Sequence, residues 1–142
     1  PLPNASSNRY YEICRRESPS EWVFLGKITH NSEEFYGTMA NARVACLASS
    51  CETPGLALLE ASSLGARPVV TREGGTVEYY GFDAEYLIPT NSASIVCAVM
   101  RAWNRGKLAE ASALALARFT WNDVAQMTLA AYVETITRLQ RP

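Results

Sequence analysis

The sequence is poor in the residues that most metal and redox sites are built from. Its 142 residues hold one histidine, His30, and four cysteines, Cys14, Cys46, Cys51 and Cys97, with no Cys-x-x-Cys pair, so no metal cluster is expected. The cysteines read instead as small buried apolar residues of a chain kept in a reducing compartment. No run of about eighteen apolar residues is present for a membrane span, and the start, "PLPNASSNRYYEICRRE", has no apolar signal core. A formal net charge of −1, with lysine and arginine scattered, leaves no basic stripe for a phosphate backbone, which argues against a nucleic-acid partner.

What is present is a core. With 48% apolar and 19% charged residues the chain suits one globular domain, residues 1–142. The short apolar runs "EWVFLG" (21–26), "RVACLA" (43–48), "RPVVT" (67–71) and "EYLIP" (85–89) read as buried strands. Helical patterns surround them: "SNRYYEICRRE", "SEEFYGTMANA", "PGLALLEASSLG", "GTVEYY", "SASIVCAVMRAW", "KLAEASALALARF" and "TWNDVAQMTLAAYVETITRL". In the last of these Thr120 stands three residues before Asp123, a capping signature. This alternation predicts an α/β domain, a Rossmann-like parallel sheet with helices on both faces and a helical C-terminus.

In such a sheet ligands sit outside the carboxyl ends of the strands, where loops enter helix N-termini. The stretch "SSCETPGLALLEASSLGARPVV" (49–70) is one such junction. Pro54 suits the first helical position with Thr53 as its cap, and Gly65 closes the helix. The N–H groups of Gly55, Leu56 and Ala57 would then face outward at the positive end of the helix dipole, a seat for an anion, and Gly55 would let oxygens approach closely. Glu60 shares the face of Leu56 and Ala57, about 9 Å along the helix from Pro54, roughly the span from a phosphate to the ribose beyond it. Sugar hydroxyls are good donors to such a carboxylate. Glu52, before the helix, would face whatever hangs from the other phosphate.

Glu52, seven intervening residues and Glu60, followed by "LGARPVV" and a double glycine with Glu78 three residues on, resemble the signature of retaining glycosyltransferases of the GT-B fold, family 4. The likeness covers most of the chain: "WVFLGKI" is similar to the family's nucleobase-holding strand and loop, and "FTWNDVAQMTLAAYVETI" to its closing helix. The resemblance implies the C-terminal, donor-binding half of an enzyme that moves a hexose from a UDP- or GDP-linked sugar to an acceptor in glycan or glycolipid synthesis. Glu52 would touch the transferred sugar near its anomeric carbon, and Glu60 the ribose hydroxyls. Gly55, Leu56 and Ala57 would hold the diphosphate, Gly74 and Gly75 would lie near sugar or phosphates, and Gly26, Lys27 and Ile28 would meet the base. No metal or other cofactor is implied, and the chain has no Asp-x-Asp motif.

The sequence departs from the family in ways that shape the expectation. The strand ending in Gly-Arg with a lysine after it, whose cations neutralise the diphosphate, is not found before "EWVFLG", and the acceptor-binding N-terminal domain is missing. A start at Pro1 rather than Met hints at something upstream removed. The acceptor, a sugar or lipid, would belong to that other half, with the full enzyme cytoplasmic and associated with the inner face of a membrane. Two alternatives stand beside this: a non-catalytic α/β binding or assembly module, and a nucleotide-sugar epimerase of the same fold. On plainer readings Glu60 pairs with a nearby arginine such as Arg67, Glu52 is a turn residue, Gly74 and Gly75 make a tight turn, Glu78 and His30 are solvated, and Trp103 and Trp121 anchor helices.

Overall fold

"RPVVT" is the centre of the sheet. In the computed structural model, which describes residues 5–117 and 119–139, it forms β2 (Arg67–Thr71), buried at every position. β1 (Val44–Leu47) pairs with one edge of β2 and β3 (Glu85–Leu87) with the other, both parallel, in the order β1-β2-β3. A five-residue run with no polar face is what a central parallel strand covered on both sides requires.

Alternate residues of the strands divide the core in two. Val70 faces α3 (Leu56–Ser63), α4 (Thr76–Tyr80) and α6 (Glu110–Ala117), with Leu58, Tyr80, Leu108 and Leu116 around it. Val69 and Leu87 face the other way, onto Ala98 and Ala102 of α5 (Ser92–Arg105). The two crossovers, α3 and α4, thus lie on one face and α5 covers the second, giving the expected three-layer Rossmann-like α/β arrangement. Asn91 caps α5, its side-chain oxygen accepting from the Ser94 N–H at 3.0 Å.

Buried Arg67 ties the layers at the start of β2. Its guanidinium donates to the carbonyls of Gly106 (2.6 Å), Asp83 (3.1 Å) and Lys107 (3.1 Å), linking the end of α5 to the turn Gly81–Asp83 before β3. A pairing of Arg67 with Glu60 is therefore corrected: the guanidinium is spent on backbone carbonyls. The C-terminal helix α7 (Trp121–Leu139) starts with the expected box, Thr120 N–H to Asp123 Oδ2 at 3.3 Å and Asp123 N–H to Thr120 Oγ1 at 3.3 Å. Trp121 is 85% exposed, so it is no packing anchor, and Trp103 lies half-exposed under the Arg43 guanidinium. The expectation of buried cysteines also fails, because Cys46, Cys51 and Cys97 are exposed and none is bonded to another.

Residues up to Phe35 form one compact unit and those from Tyr36 a second. The first holds α1 (Ala5–Glu17), an irregular stretch in which the Phe24 ring meets Tyr11 edge-on at 5.7 Å, and the start of α2 (Glu33–Asn41). "EWVFLG" is not a strand. Its Trp22 and Val23 are 65% and 78% exposed, Gly26 turns the chain at φ 70°, and no strand pairs with it among the described residues. Apolar content marks a segment that can be buried, but a strand also needs a ladder partner. Exposed His30 keeps its ring against Phe35 at 4.8 Å. Arg118, inside the expected α6 segment, lies outside the described residues.

Arg101 and Arg105, one turn apart on α5, converge on the Glu85 carboxylate at the start of β3, at 2.7 and 2.8 Å. Burial pushes that carboxyl up, but the hydrogen bonds and charges of the two guanidinium groups outweigh it and hold it below the usual carboxylate range. A lowered folded value means stability present above the unfolded glutamate pKa and lost as pH falls through the folded one. Melting temperature should therefore drop on acidification below about pH 4.5, the ordinary glutamate value, and Glu85→Gln should melt lower at pH 7 yet lose less between pH 5 and pH 3. Parallel melting curves across that window would show that the pair contributes nothing.

Candidate functional site

Beyond the carboxyl ends of β1 and β2 the two following loops are stitched backbone to backbone. Glu52 and Gly74 form a parallel bridge. The Glu52 N–H donates to the Glu73 carbonyl at 3.1 Å, and the Gly75 N–H donates to the Glu52 carbonyl at 2.9 Å. The contact leaves no room for side chains: a Cβ on Gly74 would lie 2.0 Å from the Glu52 carbonyl oxygen, and one on Gly75 would lie 2.9 Å from that of Thr53. Gly74 also sits at φ 96°, where a side chain is strained. The double glycine is thus explained by packing against the glutamate turn.

The entry into α3 differs from the expected one. Gly55, left-handed at φ 72° and ψ 82°, occupies the cap position, no side chain caps the helix, and the first helical residue is Leu56. Thr53 and Pro54 precede the cap. They are held there, Thr53 by its contact with Gly75 and Pro54 by the Tyr80 hydroxyl, which donates to the Pro54 carbonyl at 2.8 Å. With the chain pinned that far, only a residue free to adopt positive φ turns it into the helix. At the other end Gly65, at φ 97°, closes the helix as expected.

The Gly55 carbonyl accepts from the N–H groups of Leu58 (2.9 Å) and Leu59 (3.0 Å), so those are spent. The N–H groups of Gly55, Leu56 and Ala57 have no acceptor among the described residues, while Leu56 and Ala57 are exposed. The Glu52 carboxylate stands over this entrance: a Cβ on Gly55 would lie 3.5 Å from Glu52 Oε2 and 2.8 Å from Leu47 Cδ2. A negative group beside a helix N-terminus is favourable, commonly by about 0.3–1 kcal/mol. Burial first, and then the charge of Glu52, push the Tyr80 hydroxyl up from its ordinary value, so it remains a neutral donor.

Glu60 lies half-buried in the second turn of α3, on the side of exposed Leu56 and Ala57. The structure thus brings Glu52, Gly55, Leu56, Ala57, Gly74 and Gly75 to one junction, with Glu60 on the helix that leaves it. Glu78 is exposed on α4, as its reading as a solvated charge requires. Gly26, Lys27 and Ile28 belong to the first unit, in the irregular stretch that replaced the expected strand. Tyr80 was missed by sequence reasoning. Its signal was the buried aromatic at the end of "GTVEYY", five residues past the double glycine. The described residues contain no group of three or more histidine, cysteine or acidic side chains arranged to hold a metal. The chain matches no protein-family model and no curated protein.

The seam makes a checkable demand. Gly74→Ala should lower stability by at least about 2 kcal/mol, since the new methyl meets a carbonyl oxygen and the backbone is strained as well, whereas Gly37→Ala, in open space within α2, should be neutral or stabilising. Chemical denaturation of both variants measures the difference. A Gly74→Ala protein as stable as wild type would mean that the two loops are not held together as described.

Proposed function

We propose that this chain is the donor-binding half of a retaining glycosyltransferase of the GT-B type and holds a nucleoside diphosphate sugar at the start of α3. One observation carries the reading: three N–H groups without an acceptor among the described residues at a helix N-terminus, beside one carboxylate and on the face of a second, at the carboxyl ends of parallel strands. The diphosphate takes the N–H groups of Gly55, Leu56 and Ala57. Glu60 accepts from the ribose hydroxyls, and Glu52 from the hydroxyls of the sugar to be transferred. Gly74 and Gly75 act indirectly, by fixing the Glu52 turn.

The chemistry follows from where charge grows. The bond between the anomeric carbon and the diphosphate oxygen breaks, both electrons leave with the diphosphate, and the acceptor hydroxyl oxygen bonds to the oxocarbenium-like carbon while its proton passes to the departing diphosphate oxygen. The α3 amides stabilise the departing oxygens, and the Glu52 carboxylate faces the positive sugar ring. The cations that complete such a leaving-group clamp are contributed from outside this chain, as is the acceptor, a sugar or a lipid. The 142 residues alone should therefore bind nucleoside diphosphates at about 0.1–1 mM and turn over no donor.

Calorimetric titration with UDP, GDP and their sugar conjugates tests this. Glu60→Ala should weaken diphosphate binding roughly tenfold, the loss of hydrogen bonds to a charged group. Glu52→Ala should leave the diphosphate within about threefold and lower affinity for the conjugate. Equal losses in both variants for both ligands, together with lowered melting temperatures, would mark the glutamates as structural and favour a non-catalytic binding module.

A further inference from the structure

A cavity lies beside β3, away from the α3 junction. Its volume is about 610 Å³, and it is lined by Arg72, Phe82, Glu85, Tyr86, Arg101 and Arg105, among others. Three guanidinium groups meet one carboxylate there, a formal excess of two positive charges. Glu85 is already satisfied by Arg101 and Arg105, and those two also donate to the backbone, Arg101 to the Tyr86 carbonyl at 3.4 Å and Arg105 to that of Phe82 at 3.0 Å. Arg72 is different. Its guanidinium lies over the Tyr86 ring, 4.3 Å from the centroid, and makes no hydrogen bond or ion pair among the described residues. At the rim Phe82 is 97% exposed.

The geometry points to a binding site for a small phosphate monoester carrying an apolar or aromatic group, with Arg72 as its principal clamp and Phe82 against its organic part. A planar fork stacked on an aromatic ring is held in orientation with its donors unspent, which is how arginine engages phosphate oxygens in pairs. The charge decides between anions. A phosphomonoester carries about −1.5 to −2 at neutral pH and matches the excess of two, while a carboxylate leaves half of it uncompensated. This site rests on neither Glu52 nor Glu60, and Arg72 joins it to the rest of the molecule as the residue between β2 and the Glu73–Gly75 loop.

Phenyl phosphate, inorganic phosphate and benzoate, titrated into the ¹⁵N-labelled chain and followed by amide and arginine Nε shifts, distinguish the possibilities. Phenyl phosphate should shift Arg72, Phe82 and Tyr86, bind more tightly than inorganic phosphate, and bind at least about tenfold more tightly than benzoate. Arg72→Gln should weaken it roughly tenfold, and Phe82→Ala should weaken phenyl phosphate but not inorganic phosphate. Both side chains are exposed, so neither change threatens the fold. Benzoate binding as well as phenyl phosphate, unaltered affinity in Arg72→Gln, or shifts confined to residues 55–57 would each overturn the assignment. The last result would leave the α3 site standing, and losing the α3 site in Glu60→Ala would leave this one untouched.

Discussion

Two loops that leave neighbouring strands can define a site only if they are fixed to each other, and here the fixing is done by backbone alone. The contact between Glu52 and Gly74 brings main chain so close that a methyl group would fall 2.0 Å from a carbonyl oxygen. The rest of the junction follows. With Glu52 and Thr53 held on the double glycine and Pro54 on the Tyr80 hydroxyl, the chain has one residue, Gly55, in which to reverse into α3. That reversal leaves the N–H groups of Gly55, Leu56 and Ala57 without an acceptor among the described residues and brings the Glu52 carboxylate close to Gly55. The Glu52 turn is thus placed by two residues that have no side chain.

The sheet below provides the rigid base for this arrangement. β2 is buried throughout, and Arg67 at its start is bound to three carbonyls from the segments just before β3 and just after α5. A buried guanidinium is costly unless its donors are met, and three carbonyl acceptors each take one of its five N–H donors. The strand is thereby fixed at its amino end by side-chain hydrogen bonds and at its carboxyl end by the backbone seam. Loops are more mobile than the elements they connect, and anchoring both ends of the central strand limits how far this one can drift.

Legibility in the sequence followed the kind of interaction involved. "RPVVT" was readable to the residue because burial on both faces demands an unbroken apolar run, and Thr120–Asp123 because a capping box is local in sequence. "EWVFLG" has similar composition and forms no strand, since pairing depends on a neighbour that composition does not encode. At α3 the local rules competed. Thr-Pro is a good start signal, yet the helix begins after Gly55, because long-range contacts from Gly75 and Tyr80 hold Thr53 and Pro54 outside it. The glycine pair was noticed, but its partner, the Glu52 main chain twenty-two residues earlier, could not be read from spacing. The clustering of arginines beside β3 went unread for the same reason, as residues 72, 82, 86 and 101 share no local pattern.

A tension remains inside the proposed donor site, and it bears on what that site prefers. A helix N-terminus attracts negative charge, but here a carboxylate already stands over it, and a diphosphate brought to the same amides must approach that carboxylate. Like charges oppose each other unless something that donates hydrogen bonds comes between them. The sugar of an intact donor would do this in the proposed site, its hydroxyls facing the carboxylate while its phosphates face the amides. A bare diphosphate has no such group and meets the repulsion directly. On the proposed reading the arrangement would therefore favour the unreacted donor over the spent nucleotide, so once the sugar had left, the carboxylate that helped to hold it would work to release what remains.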